Sequence, residues 1–321
     1  MNRRKFIIKS TLSTAGLGLM PAFSHSNNMK IANTDFGVAL FTLPKALSED
    51  FEGTIRIISE MGYKELEFFG PYDFSDEGVK KSWNQLTPLL GFSGSGYFGH
   101  PYKETREILD RYGLKAPAIH VDLQTLEKNM GQVAEAANVL GHKYVGIAMI
   151  PEEMRPDLEG YKKTIDTFNR VGASAKKYGL TFFYHNHGYG HKEMEGVVPF
   201  DLILKNTDPE LVKMELDVFW FAAAGVDSKK ILKENPGRFP LLHIKDMSEA
   251  KTFTGDGGNP SEWMSLFPYL TDAGDGVLDL PGILKQAKKS GVKHFFLEKD
   301  NTPEFESALM RSFNFLSKLK L

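Results

Sequence analysis

The sequence predicts a closed parallel barrel of eight β/α units in one domain, and three observations predict it. Eight apolar, β-rich runs alternate with helix-period segments between residues 35 and 321. Four passages from helix to strand carry a glycine: Met61-Gly62-Tyr63, Leu140-Gly141-His142, Tyr178-Gly179-Leu180 and Ser290-Gly291-Val292. Glycine just past a helix takes the left-handed cap conformation, and the chain then turns directly into a strand. The last four apolar runs all stop at imidazole or carboxylate residues, as expected where strand ends converge on one pocket. A doubly wound open sheet is the structural alternative. It usually shows a Gly-x-Gly-x-x-Gly turn after its first strand, where this chain has Leu43-Pro44-Lys45.

The strands are expected at Phe36–Leu43, Glu65–Phe69, Ala116–Val121, Tyr144–Ile150, Leu180–His185, Leu211–Leu216, Phe239–Ile244 and Lys293–Glu298. Helices are expected at Ser48–Met61, Lys103–Tyr112, Leu123–Leu140, Leu158–Tyr178, Pro199–Asn206, Ser228–Glu234, Leu280–Ser290 and Pro303–Leu319. In Leu158–Tyr178, Tyr161, Ile165, Phe168, Val171 and Ala175 recur at spacings of three and four, one helical stripe. Two connections, Gly70–Pro101 and Asp246–Leu278, are longer than a compact barrel needs. Both follow strands, so both belong to the carboxyl face, where long loops serve as lids or binding loops.

Composition narrows the function. The chain has 321 residues, 41 % hydrophobic and 25 % charged, a mix that excludes disordered and low-complexity classes. Its 39 Lys and Arg against 41 Asp and Glu give a net charge of −2, without the basic excess of a nucleic-acid binder. With no cysteine, disulfides, thiolate metal sites and cysteine nucleophiles are excluded. Residues 1–24 read as a secretory signal: basic Arg3-Arg4-Lys5, a weakly apolar run from Thr11 to Phe23, and a small-residue exit near Ala22-Phe23-Ser24. Arg3-Arg4 followed by Lys5-Phe6-Ile7 resembles a twin-arginine signal. The run is too short for a membrane span, so the expectation is export to the periplasm without stable membrane insertion. Residues 25–34 are then a linker and 35–321 the barrel.

The chemistry is carried by strand ends. The fifth strand ends Tyr184-His185-Asn186-His187, the sixth Glu215-Leu216-Asp217, the seventh His243-Ile244-Lys245-Asp246 and the eighth Glu298-Lys299-Asp300. Burying such groups costs desolvation unless they are paired or bound to metal. Imidazole nitrogens and carboxylate oxygens without sulfur suit one divalent ion: Mn²⁺, Zn²⁺, Co²⁺ or Fe²⁺. Strand alternation puts His185 with His187, Glu215 with Asp217, and His243 with Lys245 on common faces. Within each pair, one residue is available for metal and the other for substrate. His120 ends the third strand and either lines the pocket or is a satisfied core histidine. His100, His142 and His294 read as structural; Glu67, Glu152 and Glu153 are weaker rim candidates. Phe41, Tyr97, Trp220 and Trp263 are candidates to stack on a sugar ring.

With these residues in view, the chain resembles the xylose-isomerase-like TIM barrel family of sugar phosphate isomerases and epimerases. The resemblance rests on Tyr184-His185-Asn186-His187, Thr207-Asp208-Pro209, Glu215 to Trp220, Pro236 to Met247 (through Arg238), Gly274 to Asp279, and Gly291 to Glu298. It implies a single divalent metal at the ends of strands five to eight, with Asp217, His243 and Glu298 matching three ligands. The fourth is usually a glutamate about six residues after the fifth-strand glycine; counted from Gly179, that place is His185. Family members that shuttle a proton across an enediolate use two metal-flanking glutamates, so the histidine leaves Glu298, His185, His187 and Lys245 as the acid–base set.

The expected function is a metal-dependent sugar isomerase or epimerase that abstracts a proton beside the carbonyl of a sugar or keto-sugar. His185, Asp217, His243 and Glu298 hold the metal, and Glu215, Trp220, His120 and Arg238 contact substrate. Loss of a β-substituent instead of reprotonation makes the same chemistry a lyase or dehydratase, for example on a 3-keto-glycoside. A sugar-binding barrel without turnover is a further alternative. An apurinic endonuclease of this fold needs a basic DNA face, which net −2 opposes. The partner is a small carbohydrate, and apolar outer helices are compatible with a homodimer.

Overall fold

In a computed structural model, which describes residues 34–321, eight parallel strands close into a barrel. They are β1 Phe36–Ala39, β2 Glu65–Phe69, β3 Lys115–His120, β4 Tyr144–Ile147, β5 Thr181–His185, β6 Val212–Asp217, β7 Leu241–Ile244 and β8 His294–Leu297. Each pairs with its neighbours in sequence, and β8 closes on β1 through Phe36↔Phe295, Gly37↔Phe296 and Val38↔Leu297. The expected export signal, and the expected linker up to residue 33, lie outside the described residues. Among the described residues no helix is long and apolar enough to cross a membrane.

The strands alternate as parallel barrel strands must. Leu66, Phe68, Met214 and Leu216 face outward into the main core beneath the helices. A separate inner cluster of Ala39, Ala118, Tyr144, Phe183, Leu241 and Phe296 fills the barrel itself. Two glycines make room for its aromatic rings. A Cβ on Gly146 would sit 2.6 Å from the Phe183 ring and 2.5 Å from the Phe183 carbonyl oxygen; one on Gly37 would sit 2.6 Å from the Phe296 ring. Phe183 and Phe296 therefore form an apolar floor, and the next inward residues toward the carboxyl end stand above it.

The expected helical stripe Tyr161, Ile165, Phe168, Val171 and Ala175 is buried within Leu158–Lys177. Gly62, Gly141 and Gly291 cap their helices in the left-handed region, as read from the sequence. Other boundaries differ. The first strand stops at Ala39 and passes into a tight turn at Leu40–Thr42. The expected helix 48–61 is two, Pro44–Glu49 and Phe51–Met61, divided at Asp50, whose carboxylate accepts from the Gly53 amide. The expected helix 123–140 breaks at Asn129 into Leu123–Lys128 and Met130–Leu140, and the Asn129 side chain donates to the Phe74 carbonyl.

Both long connections hold structure that periodicity did not reveal. Residues 70–101 contain the helix Glu77–Leu90, whose pattern is masked by Gly78 and Pro88 inside it. Residues 246–278 contain the helix Pro260–Leu266 and a small antiparallel pair, Asp246–Met247 with Leu270–Thr271. The Asp246 carboxylate anchors this loop by accepting from the amides of Met247, Gly274, Gly276 and Leu278, at 2.8, 2.9, 3.1 and 3.2 Å.

Candidate metal centre and active site

The carboxyl ends of the strands gather Glu67, His120, His185, Glu215, Asp217, His243, Lys245, Glu298 and Asp300 above the Phe183–Phe296 floor. Register places them: His185 lies opposite Glu215, and Asp217 opposite His243. Glu215 Oε2 accepts from His120 Nε2 at 2.8 Å and from His185 Nδ1 at 3.0 Å. His243 bridges two carboxylates, with Nε2 at 2.5 Å from Glu67 Oε2 and Nδ1 at 2.6 Å from Glu298 Oε2. Lys245 Nζ lies 2.7 Å from Asp300 Oδ2, 2.8 Å from Glu298 Oε2 and 3.1 Å from Asp217 Oδ2. Asp217 also starts the helix Val218–Ala223: its Oδ1 accepts from the Phe219 and Trp220 amides, both at 2.9 Å. That cap fixes the carboxylate and turns Oδ2 toward the cluster.

Burial dominates the electrostatics. It pushes Glu215 up to about 7 and Glu67 up to about 6, the latter helped by repulsion from Glu215. Asp217 is raised by burial, and Asp300 is raised by the same cause to about 6 despite Lys245. For Glu298, burial acts upward but the Lys245 and His243 charges outweigh it and hold the carboxyl below its ordinary value. Burial opposes the charge on Lys245, yet Asp217, Asp300 and Glu298 hold its ammonium well above the usual range. His243 is likewise raised against burial, by Glu215, Glu298 and Glu67. His187 is pushed down to about 3 by burial and by Lys245.

Asp217, Glu298 and Asp300 thus face one ammonium, while the buried Glu67 and Glu215 face imidazoles. Among the described residues, Glu67 Oε1, Glu215 Oε1 and Asp217 Oδ2 have no hydrogen-bond partner; Lys245 is near Asp217 Oδ2 without the geometry of a bond. Unpaired buried oxygens cost free energy, and a divalent cation would relieve that cost. Two donor groups lie within 4.8 Å: Asp217, His243 and Glu298, and His120, His185, Glu215 and His243. All are nitrogen or oxygen donors, so the residues fit a divalent ion of the kind expected from sequence.

The expected ligands His185, Asp217, His243 and Glu298 all lie in this cluster. His185 joins the second donor group, and its Nε2 is 3.8 Å from Asp217 Oδ2. Glu215 and His120, expected to contact substrate, are hydrogen-bonded to each other; Glu215 is sealed beneath the histidines, and His120 keeps 13 % of its side chain exposed. Trp220 walls the site, with Lys245 Nζ 5.3 Å from its ring centroid. Arg238 corrects the expectation: it precedes β7, at the opposite end of the barrel. Its guanidinium donates to Leu204 O and Thr207 Oγ1, holding the end of the helix Pro199–Asn206. Its neighbours in the motif, not its own strand position, had drawn it into the site.

His187 Nδ1 donates to the Ala148 carbonyl at 2.6 Å, which leaves Nε2 as its acceptor. The loop after β7 roofs the site: Trp263 stacks on His187 at 4.8 Å and Phe253 on Trp220 at 5.9 Å. Tyr97 points elsewhere, hydrogen-bonded to His142 Nε2 at 3.0 Å. Phe41 packs on Phe69 and Phe92, and Glu152 and Glu153 are exposed on a short turn. Sequence reading ranked Glu67 too low and passed over Asp300. The alternation Glu65–Glu67 and Glu298–Asp300 was the available signal.

Fold and cluster together define a (β/α)₈ barrel with a buried histidine–carboxylate centre at its carboxyl mouth. The chain belongs to the xylose isomerase-like TIM barrel family, whose pattern matches residues 55–319. It is 24 % identical over 271 residues to an inosose dehydratase of Clostridium perfringens, covering 81 % of this chain and 85 % of that one. It is 28 % identical over 163 residues to an inosose dehydratase of Geobacillus thermodenitrificans, a match that spans 47 % of this chain and only 52 % of that relative. A sugar phosphate isomerase/epimerase of Parabacteroides distasonis superposes with a TM-score of 0.69 at 22 % identity, covering 89 % of this chain and 94 % of that one. The IOLI protein, solved with a zinc atom, superposes at 0.64 with 16 % identity, covering 88 % and 96 %.

Proposed function

We propose that this protein is a metal-dependent dehydratase of keto-sugars or keto-cyclitols, which removes the proton beside a carbonyl and expels the hydroxyl one carbon further on. The observation that carries this reading is the Lys245 ammonium. It is buried, held by Glu298, Asp217 and Asp300, and shares a strand face with His243. A fixed cation there is an acid for a departing hydroxyl. Asp217, His243 and Glu298, with His185, would hold the ion, which supplies positive charge for the carbonyl oxygen as the neighbouring carbon loses its proton. His187, neutral and anchored through Nδ1, accepts that proton at Nε2. The C–H electrons become the new carbon–carbon double bond, the β C–O bond breaks, and Lys245 protonates the hydroxyl to water. Solvent then restores the proton to Lys245 and removes the one on His187.

Of the isomerisation and epimerisation expected first from sequence, epimerisation needs proton carriers on both faces of the substrate. Glu67 and Glu215 do not serve, because both are turned onto histidines. The names of the dehydratase relatives support elimination; the isomerase/epimerase among the solved structures keeps the competing outcome in the test. Protein stripped by a chelator and reloaded with Mn²⁺, Co²⁺ or Zn²⁺ is incubated with keto-sugars and a keto-inositol in D₂O. Ion-dependent appearance of a conjugated enone, absorbing in the ultraviolet, is expected. An α-deuterated isomer with no loss of water would establish the isomerase instead, and tight binding without exchange would leave a binding protein. Export rests on the Arg3-Arg4 pattern and is proposed with it; N-terminal sequencing of the periplasmic fraction should find residues 1–24 removed, and an intact Met1 there would refute it.

A further inference from the structure

His185 and His243 each present two ring nitrogens to different neighbours, and a neutral imidazole offers only one of them to a cation. Which one is offered depends on where the ring proton is held. His185 Nδ1 is 3.0 Å from Glu215 Oε2, whereas its Nε2 is 3.8 Å from Asp217 Oδ2. His243 Nε2 is 2.5 Å from Glu67 Oε2, whereas its Nδ1 is turned to Glu298 and lies 3.8 Å from Asp217 Oδ2. The two donor groups of the cluster therefore compete. His243 belongs to both, with Nδ1 toward Glu298 and Nε2 toward Glu67, whereas His185 belongs to the group with His120 and Glu215. As a neutral ring, His243 cannot serve both.

We infer that Glu67 and Glu215 are positioning residues: they hold the protons on His243 Nε2 and His185 Nδ1, so that His243 Nδ1 and His185 Nε2 face the ion on the Asp217–Glu298 side. The inference rests on the metal-dependent reading above and adds the direction in which each ring is used. Three features support it. Glu67 and Glu215 come from β2 and β6, and each accepts from a ring nitrogen other than the one nearer Asp217. The three imidazoles pack against one another, His185 on His243 at 4.6 Å and His120 on His243 at 5.7 Å. His120, which gives its Nε2 proton to Glu215, completes the acceptor's bonding and keeps that carboxylate fixed. A carboxylate behind a ligating histidine sets its tautomer and raises its basicity, and losing it typically costs 10- to 100-fold in metal affinity.

Nitrogen-15 NMR of the Zn²⁺-loaded full-length protein, labelled at histidine, tests this without an activity measurement. The expected spectrum has a protonated Nε2 and a metal-shifted Nδ1 for His243, and the reverse for His185. Co²⁺ titration followed by its visible absorption gives the affinities. Glu67→Leu should weaken binding about 10- to 100-fold. Glu67→Gln, which still accepts the Nε2 proton, should stay within about threefold of wild type if orientation is the main effect. Glu215→Gln should likewise bind better than Glu215→Leu. His120→Phe, which removes a ligand only if the ion sits on the other side, should retain the ion. Exchanged tautomers in the Zn²⁺ spectrum, or undiminished binding in a folded Glu67→Leu variant, would overturn the assignment while leaving a metal enzyme. A spectrum in which no ring nitrogen responds to Zn²⁺ would remove the ion and the proposed function together.

Discussion

The two mouths of the barrel handle buried charge in opposite ways. At the amino end, Glu65 and His294 form one pair, Glu65 Oε2 to His294 Nδ1 at 2.7 Å, with Tyr144 packed edge-on against the imidazole. Their side chains keep 10 % and 19 % exposure. At the carboxyl end, five carboxyl groups share one ammonium and several imidazoles, and among the described residues three of their oxygens lack partners. Glu65 and Glu67 are neighbours on the same face of β2, so one strand supplies both ends. Where the barrel has only to fold, acid and base are matched one to one. At the carboxyl mouth acid is in excess, at a cost in stability that a bound cation would offset.

The sharpest way to break the contrast is Asp217→Asn. The amide oxygen still caps the helix Val218–Ala223, but the charge is gone. The ion should be lost on gel filtration and kcat should fall about 10³-fold, the order of several kcal/mol of charge stabilisation, with circular dichroism unchanged; an active, metal-loaded variant would contradict the ligand set. A second test uses His142, a buried imidazole bonded to Tyr97 and the Ala116 carbonyl with no acid beside it. Burial holds it down at about 4 against an ordinary 6.5. As pH falls, the unfolded chain takes up this proton first. Its contribution to stability is therefore intact above about 6.5 and lost progressively toward 4, in all about 3 kcal/mol. Between pH 7 and 4.5 the urea midpoint of His142→Gln should drop less than that of wild type.

Lys245→Met sharpens the comparison from inside the cluster. Without its acid, turnover should fall about 10²-fold, while ion affinity stays or rises because a competing cation has left Asp217 and Glu298; parallel metal analysis and steady-state kinetics separate the two. The smallest effect belongs to the amino mouth. Glu65→Gln should cost about 1 kcal/mol in a denaturant titration and leave kcat/KM within about twofold. A large loss of activity there would mean the two ends are coupled through the Phe183–Phe296 floor.

The eight strands were legible because parallel barrel strands are apolar on their outer face and end in turns that glycine marks. His185, Asp217, His243, Lys245 and Glu298 were legible because the closing rule of a barrel brings equivalent strand ends together whatever their separation in sequence. Glu67 was legible only as a weaker rim candidate, because its part in the cluster depends on a hydrogen bond to a residue 176 positions away, which one strand's pattern cannot contain. Asn129 broke a helix through a contact with Phe74, again a tertiary cause. Arg238 shows the converse error: motif proximity is not spatial proximity, since a residue before a strand and one after it stand at opposite faces.

The glycines behind Phe183 and Phe296 have a practical consequence for redesign. Any side chain at 146 would collide with the backbone of β5 as well as with a ring, so the base of the pocket tolerates no gradual remodelling and offers a poor target for mutagenesis libraries. The span between Phe253 and Met264 is different, since Met264 is 57 % exposed and Trp263 reaches His187 from above. New selectivity is best sought by randomising that ceiling.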